Sequence, residues 1–214
     1  LEQPVAWELG PVAALEGPEG AKERRLRDVL RVGRVPQDGE DVDAHALFVD
    51  GAWTRREVDD LVSPSKGYTL MLQAGGGVPG VSSRGFGRVI AQFQAWRPVG
   101  GAYSVSVRAE AGAVIANSRE GVPSALLFRT GGDSTVRGYA YQSLGVKQGD
   151  TVLPGRYYAL ASAEAVRWVN DTFGAAVFID AGTACDEPED LADLSLGYGV
   201  GARIRTPIGP FRVD

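Results

Sequence analysis

The chain has 214 residues, a formal net charge of −5, one histidine and one cysteine. An acidic chain without a long basic run does not suit a nucleic-acid partner, and His45 and Cys185 alone offer little for histidine-based catalysis, disulfides or metal binding. We therefore predict no catalytic residue, no metal ion, no cofactor and no nucleic-acid partner. No apolar run is long enough for a transmembrane helix, although β-barrel strands would give only a weak alternating signal.

The two ends of the sequence suggest a piece of a longer protein. It begins at LEQPVAWELG without an initiator methionine and stops at GPFRVD, a few residues into what reads as a new strand. Residues 1–43 have the least clear pattern, and AKERRLRDVLRVGRV within them fits either charged strands or a short helix. We favour strands there, by analogy with the segments that follow.

Beyond residue 86 the chain alternates between apolar and polar residues with the period of two that is typical of β-strands. The segments are GRVIAQFQAW, AYSVSVRAEAGAVI, YYALASAEAV, GAAVFIDAG and SLGYGVGARIRT. They exceed the usual five or six residues of a globular strand, and their apolar face is rich in Ala and Val, which lipid accepts. We predict an all-β fold, an antiparallel transmembrane β-barrel of which about ten strands are present. A soluble β-sandwich remains the alternative.

The connections between these segments alternate in length. Residues 97–101, 169–172 and 206–210 form tight turns and 59–67 a moderate one, whereas 78–85, 117–155 and 186–194 are longer. Outer-membrane barrels have short turns on one rim and long loops on the other. We expect the stretch 117–155 to be a long loop without strands, and a loop of that length is usually functional or disordered.

The long loop and the strands after it contain the candidate functional residues. Glu164 and Asp180 lie on the polar face of consecutive strands, so they can be neighbours inside the barrel. Arg137, in the loop, could supply a cation that binds both carboxylates. The alternative is that both carboxylates simply face channel water. A Gly-Asp-Ser segment at 132–134 resembles an esterase nucleophile block, but no histidine follows His45, so we expect it only to shape a turn.

Four segments resemble those of a known family, the BamA/TamA superfamily of outer-membrane assembly barrels. GGDSTVRGYAYQSLG is similar to the sixth extracellular loop, with its VRG(F/Y) signature, and FIDAG is similar to the F-x-D-x-G strand motif. VDDLVSPSKGY resembles the turn before a strand, and GYGVGARIRTPIGPFRVD resembles the penultimate hairpin. The resemblance covers roughly residues 40–214, and its spacing is nearest to that of TamA members.

The resemblance implies a sixteen-stranded barrel preceded by periplasmic POTRA domains, with the long loop folded into the lumen. Residues 1–214 would be the C-terminal portion of that barrel, without the POTRA domains and the first strands. Arg137 would be the arginine at the loop tip that reaches the inner wall, with Glu164 and Asp180 as its partners. The same resemblance assigns the rest of the tip motif and the residues that shape the loop: Val136, Gly138, Tyr139, Gly131, Gly132 and Asp133.

The function that the resemblance implies is not enzymatic. Such a barrel resides in the bacterial outer membrane and helps to insert or translocate outer-membrane proteins such as autotransporters. Its partners would be the outer-membrane bilayer, client proteins and a TamB-like periplasmic protein anchored in the inner membrane. A two-partner secretion transporter and BamA itself are alternatives within the superfamily. A passive channel, or a barrel that anchors a secreted patatin-like lipase, is the alternative from another class.

Overall fold

The computed structural model of the chain describes residues 24–34, 45–78, 80, 82, 84–206 and 209–214. This part of the chain forms eleven β-strands. Their bounds are β1 Arg24–Arg34, β2 His45–Val58, β3 Gly67–Gly77, β4 Gly87–Val99, β5 Tyr103–Ile115, β6 Val146–Gln148, β7 Thr151–Leu153, β8 Tyr157–Trp168, β9 Phe173–Cys185, β10 Ser195–Thr206 and β11 Gly209–Val213. Among the described residues the helices are two 3₁₀ turns, Ser124–Leu126 and Pro188–Ala192, and no helix is long and apolar enough to cross a membrane.

Nine of these strands form one antiparallel sheet in the order β1-β2-β3-β4-β5-β8-β9-β10-β11. Every strand from β1 to β10 in this sheet has 11 to 14 residues. Strands of this length can cross the hydrocarbon core of a bilayer at a tilt, because about 9–11 residues suffice. The sheet does not close on itself within the described residues. The predicted all-β, antiparallel fold is confirmed, and so is strand structure at Arg24–Arg34, whereas residues 1–23 and 35–44 lie outside the described part.

The two faces of the sheet are inverted relative to a water-soluble protein. On β10 the apolar residues Leu196, Tyr198 and Val200 are 57%, 84% and 73% exposed, whereas Arg203 on the opposite face is 7% exposed. On β9, Asp180 is only 1% exposed. Exposed apolar groups on one face and enclosed polar groups on the other are the arrangement of a barrel wall that faces lipid outside and a polar lumen inside. We call these the outer and inner faces.

The connections leave the sheet at two opposite rims, as the sequence predicts. The stretches 59–66, 100–102 and 169–172 lie at one rim, which we call the short-turn rim. The stretches 116–156 and 186–194 lie at the other, which we call the long-loop rim.

The prediction that the long loop contains no strand is wrong. Within it, β6 and β7 pair as a small separate hairpin. The two residues that join them begin with Gly149, whose φ of 60° suits the first central position of a tight hairpin turn. Strands of three residues are too short to give a recognisable alternation, which is why the sequence pattern did not reveal them.

The first part of the long loop packs against the inner face of the sheet near the long-loop rim. Phe128 stacks on Tyr158 of β8 with ring centroids 4.4 Å apart, and Val122 joins them in a buried cluster with Val114 and Phe48. The Arg88 guanidinium lies 5.0 Å from the Phe128 ring centroid, and its Nε donates to the Leu126 carbonyl at 2.9 Å. This apolar cluster holds the base of the loop against the inner face of the sheet, and the residues that follow continue along that face.

The turn between β2 and β3 is organised by two aspartates, of which Asp60 accepts the backbone N–H groups of Val62 and Ser63 and Asp59 closes the turn. Asp59 Oδ1 accepts the backbone N–H groups of Ser65 at 2.9 Å and Lys66 at 3.0 Å, and Oδ2 accepts the Ser65 hydroxyl. These hydrogen bonds, from the Ser65 hydroxyl first and then the backbone, hold the pKa of Asp59 well below its ordinary range. The segment from Asp59 to Pro-Ser-Lys-Gly at 64–67 therefore has a physical reason, since Asp59 closes the turn before Gly67, whose φ is 119°.

Replacing Asp59 with asparagine should loosen this turn without affecting the sheet. A folded-state pKa below the unfolded value means that the carboxylate stabilises the turn above about pH 4 and stops doing so as the pH falls through the lowered pKa. Because the group is exposed, we expect a loss of less than about 1 kcal/mol. Limited proteolysis should show faster cleavage within 59–66 in Asp59→Asn, with the exposed Asp171→Asn as the control. Equal cleavage in both variants would contradict this role.

Candidate functional site

The tip of the long loop, Val136–Tyr139, reaches the inner face of β9. Arg137 is 6% exposed and makes two side-chain hydrogen bonds to Asp180, from Nε to Oδ2 at 2.7 Å and from Nη2 to Oδ1 at 2.9 Å. Its backbone N–H donates to the same Oδ2 at 3.1 Å. This is a bidentate arginine–carboxylate pair with a third bond from the main chain, so both the side chain and the backbone of the tip are attached to the wall.

Two more carboxylates and an aromatic ring complete the surroundings of Arg137. Its Nη1 donates to Glu164 at 2.9 Å and to Asp214 at 3.0 Å. Its guanidinium carbon lies 3.4 Å from the centroid of the Phe178 ring, a close cation–π contact. Burial by itself would lower the pKa of Arg137, but the hydrogen bonds to Asp180, Glu164 and Asp214 outweigh it and raise that pKa above its ordinary value. The side chain is therefore a cation, as arginine is throughout the physiological pH range.

A second arginine, Arg203 on β10, belongs to the same cluster and was not among the residues predicted from the sequence. Its Nε and Nη2 donate to the two oxygens of Glu164 at 2.8 and 2.5 Å, and its Nη1 lies 2.5 Å from Asp214. Glu164 and Asp214 thus each bind both arginines. We call Arg137, Arg203, Glu164, Asp180 and Asp214 the ion cluster.

The sequence did contain a signal for Arg203 and for Asp214, the two members of the ion cluster that were not predicted. Arg203 lies on the polar face of the alternating segment SLGYGVGARIRT, and Asp214 ends the Arg-x-Asp of the hairpin pattern. Ser162 on β8 was missed as well. Its hydroxyl donates to Asp180 Oδ1 at 2.6 Å, which gives that oxygen a second donor beside Arg137.

Val136 fills a hollow that two glycines leave on the wall. Its side chain is 0% exposed. A Cβ added to Gly182 on β9 would lie 2.7 Å from Val136 Cγ2, and one added to Gly197 on β10 would lie 3.3 Å from Val136 Cγ1 and would overlap the Arg137 carbonyl oxygen. The absence of side chains at these two wall positions is therefore what allows the loop backbone to approach so closely. Neither glycine was named among the predicted site residues, although Gly182 ends the FIDAG segment and Gly197 begins the hairpin segment GYGVGARIRTPIGPFRVD.

The backbone of the loop near the tip depends on glycines that were expected to shape it. Gly131, Gly132 and Gly138 have φ values of 103°, 100° and 88°, which few other residues tolerate. A turn closes between Gly132 and Val136 through a backbone hydrogen bond of 3.2 Å. Asp133 is exposed, and its carbonyl oxygen accepts from Arg212 at 3.4 Å.

Tyr139, the last residue of the tip, lies at the edge of the site. It is 37% exposed, and its hydroxyl donates to the Leu196 carbonyl of β10 at 3.3 Å. Thus the structure brings Arg137, Glu164 and Asp180 together, while Val136 and Tyr139 add contacts to the neighbouring strand.

The chemistry of this arrangement is that of an attachment point and not of a reaction centre. Ser134 is exposed, and the chain has no second histidine to pair with it or with any other nucleophile. Among the described residues no group of three His, Cys, Asp or Glu side chains could hold a metal ion. What the cluster can do is fix a loop to a wall, with a geometry set by two forked guanidinium groups.

Comparisons with known proteins agree with this architecture. A family model described as the Omp85 superfamily domain matches residues 17–214. The fold is also similar to that of BamA from Haemophilus ducreyi, in a crystal structure of that protein lacking POTRA domains 1–3, with a TM-score of 0.67 and 17% sequence identity. The similarity covers 88% of this chain and 45% of the BamA chain, so the chain spans a little under half of that structure.

Proposed function

The chain belongs to the Omp85 superfamily of bacterial outer-membrane assembly and transport barrels, and from this membership we propose that it is part of a factor that inserts other outer-membrane proteins. Members of this superfamily are not enzymes, and the chain is placed in the bacterial outer membrane. The task that we propose for the full-length protein is to help client proteins such as autotransporters to enter or cross that membrane.

The observation that carries the proposal is the attachment of the loop tip to the inner wall through the ion cluster. We infer that the tip segment Val136–Tyr139 acts as an internal lock that keeps the barrel wall in register while other parts of the barrel move. Asp180 and Glu164 lie on consecutive strands, and Asp214 lies just beyond β11, so one arginine fastens three places on the wall. An assembly factor needs such a fixed region, because a barrel that opens for a client risks the exposure of unpaired strand edges.

We infer a TamA-like member from the motif spacing, and with it a TamB-like periplasmic partner anchored in the inner membrane. BamA is the second candidate, since the fold is similar to a BamA structure. In either case 117–155 would be an extracellular loop, and POTRA domains would precede the barrel. Co-purification of the full-length protein with a TamB-like protein would support the first candidate, and its absence under conditions that preserve client insertion would favour the second.

A cross-link would test the position of the tip. The carbonyl oxygen of Thr135, next to the tip, lies 3.5 Å from Arg108 Nη2 on β5, and neither residue belongs to the ion cluster. Cysteines at positions 108 and 135, with Cys185→Ser, should therefore be joined by a thiol cross-linker about as long as an arginine side chain in native outer membranes. Tyr141 is 76% exposed, so the pair 108 and 141 serves as the control and should react poorly. Free labelling of position 135 from the cell surface, without a cross-link, would contradict the lock.

The assembly function needs a separate measurement. The full-length protein, reconstituted in lipid vesicles, should accelerate the folding of an added client barrel relative to vesicles that lack it. Folding can be followed by the change in gel mobility before and after heating. No acceleration, together with a successful cross-link, would leave the lock in place and reject the assembly function in favour of a passive channel or an anchor.

A further inference from the structure

Beneath the loop tip, on the side of the short-turn rim, the inner face encloses a chamber that the ion cluster only partly occupies. Its volume is about 690 Å³, which is within the range of ordinary ligand sites. Serine hydroxyls from the turn 59–66 and from β5 line one side, and Trp96 and Trp168 line another. The chamber is distinct from the apolar cluster around Phe128, which lies toward the opposite rim.

The lining of the chamber is strongly cationic. Among the described residues that line it there are five arginines and two carboxylates, namely Arg108, Arg137, Arg203, Arg205, Arg212, Asp133 and Glu164. Arg137 and Arg203 are already bound to Glu164, Asp180 and Asp214. The other three arginines therefore carry the excess positive charge of the chamber.

These three arginines have few anionic partners of their own. Within the described part of the chain, neither Arg205 nor Arg212 has a carboxylate oxygen within 4.0 Å of its guanidinium nitrogens, and Arg212 donates only to a backbone carbonyl. Arg108 lies 3.8 Å from Glu110 and its Nη2 donates to the Thr135 carbonyl at 3.5 Å, but its buried Nε has no hydrogen-bond partner. A buried guanidinium N–H without a partner is costly, so an anion that accepts from it would be stabilised.

The position of Arg205 favours the binding of an anion at its edge. Its guanidinium carbon lies 3.6 Å from the centroid of the Trp168 ring, and the indole N–H of Trp168 donates to the Ser104 hydroxyl at 3.0 Å. An arginine that stacks on an aromatic ring is held in one orientation. Its N–H groups lie in the plane of the guanidinium, where they can make two parallel hydrogen bonds to a carboxylate or a phosphate.

We propose that this chamber is an oxyanion-binding site whose ligands are Arg205, Arg212 and Arg108. The group that it takes is a carboxylate or a phosphate, and the chamber extends to the short-turn rim, since Ser63 and Ser65 of the turn 59–66 line it. This site goes beyond the assembly function, because its three arginines are not members of the ion cluster; Arg108 and Arg212 contact the loop only through the carbonyl oxygens of Thr135 and Asp133.

Titration of the folded full-length protein with two probes at constant ionic strength tests this site. Inorganic pyrophosphate represents the phosphate source, and a short peptide of glutamates represents the carboxylate source. Either probe should change the tryptophan fluorescence saturably, since Trp168 is in contact with Arg205. Replacing both Arg205 and Arg212 with glutamine should weaken binding of the effective probe about tenfold or more, because hydrogen bonds from a charged guanidinium to an anion are stronger than those from a neutral amide.

The matched control is Arg167→Gln. Arg167 lies on the outer face of β8, over the Tyr103 ring, so its loss changes the net charge of the same sheet without touching the chamber. It should bind both probes as the wild type does. A saturable response to one probe only would identify the source of the anion. The absence of a response to either probe, or equal affinities in the double variant and the wild type, would overturn the site.

Discussion

Arg137→Ala is expected to detach the loop tip and to lower the free energy of unfolding by about 3–5 kcal/mol, the range for removing one partner of a buried ion pair. The variant leaves three carboxylates, on Asp180, Glu164 and Asp214, with a single guanidinium among them, that of Arg203. Asp180 is the most affected, because its side chain is 0% exposed and keeps only Ser162 as a side-chain donor. Water that enters the lumen would reduce this loss toward the lower end of the range.

Equilibrium unfolding of the full-length barrel in urea would measure this loss, and labelling of a cysteine at position 136 would report the release of the tip. Arg137→Lys is an informative comparison, since it keeps the charge but loses the bidentate hydrogen bonds of the guanidinium and its contact with Phe178. Its free energy of unfolding should lie between those of the wild type and Arg137→Ala.

Arg212→Ala is the control. It removes an arginine that has no carboxylate partner among the described residues, so it should cost less than about 1 kcal/mol. Equal losses in Arg137→Ala and Arg212→Ala would contradict the special role of Arg137.

The strands were predictable because their pattern is local. The alternation in SLGYGVGARIRT coincides with β10, Ser195–Thr206, and the pattern in AYSVSVRAEAGAVI coincides with β5 to within one residue. The sequence also indicated that the apolar face is the outer one, since its Ala and Val residues are too small for a tightly interlocked core. Local period and composition are enough for both conclusions, and neither needs the tertiary structure.

The ion cluster was only partly predictable, because its members meet through register and not through spacing. Glu164 and Asp180 lie on paired strands and were identified from alternation, but the contact between Arg137 and Asp214 joins residues 77 positions apart. The register of β10 against β9 and β11 decides whether Arg203 faces Glu164, and register depends on the packing of the complete sheet. A polar residue on the inner face can be read from the sequence, but its partner cannot.

The wall glycines were missed for a different reason. In an alternating segment, Gly182 and Gly197 read as small inner-face residues, much like Gly199 or Gly201. Only the position of Val136 shows that the first two form a hollow and that a side chain there would meet the loop. A glycine that is required by close approach of another chain segment has an ordinary φ, so neither the strand pattern nor the resemblance of FIDAG and GYGVGARIRTPIGPFRVD gives the reason for it.

Gly197→Ala is expected to push the tip off the wall although every charge of the ion cluster is still present. The added Cβ would overlap the carbonyl oxygen of Arg137, and backbone on both sides leaves no flexible side chain to move aside. The φ of Gly197 lies outside the left-handed region, so alanine is compatible with the strand and the effect is steric. We expect a loss of about 1–3 kcal/mol, the usual range for overpacking, together with labelling of a cysteine at position 136. Gly87→Ala is the matched control, because the nearest atom to its added Cβ is 3.9 Å away.

A double-mutant cycle separates the steric effect on the tip from a general weakening of the sheet. If Gly197→Ala acts by displacing the tip, it should cost little once Arg137→Ala has already released that tip, and the two losses should not add. If the losses do add, alanine at position 197 disturbs β10 itself, and the hollow for Val136 has no part in holding the loop. The coupling energy, measured by urea unfolding of the four proteins, should therefore be about the size of the Gly197→Ala loss. A hollow made by glycines and a cluster of charges would then be two parts of one attachment, each of which works only when the other holds the loop in place.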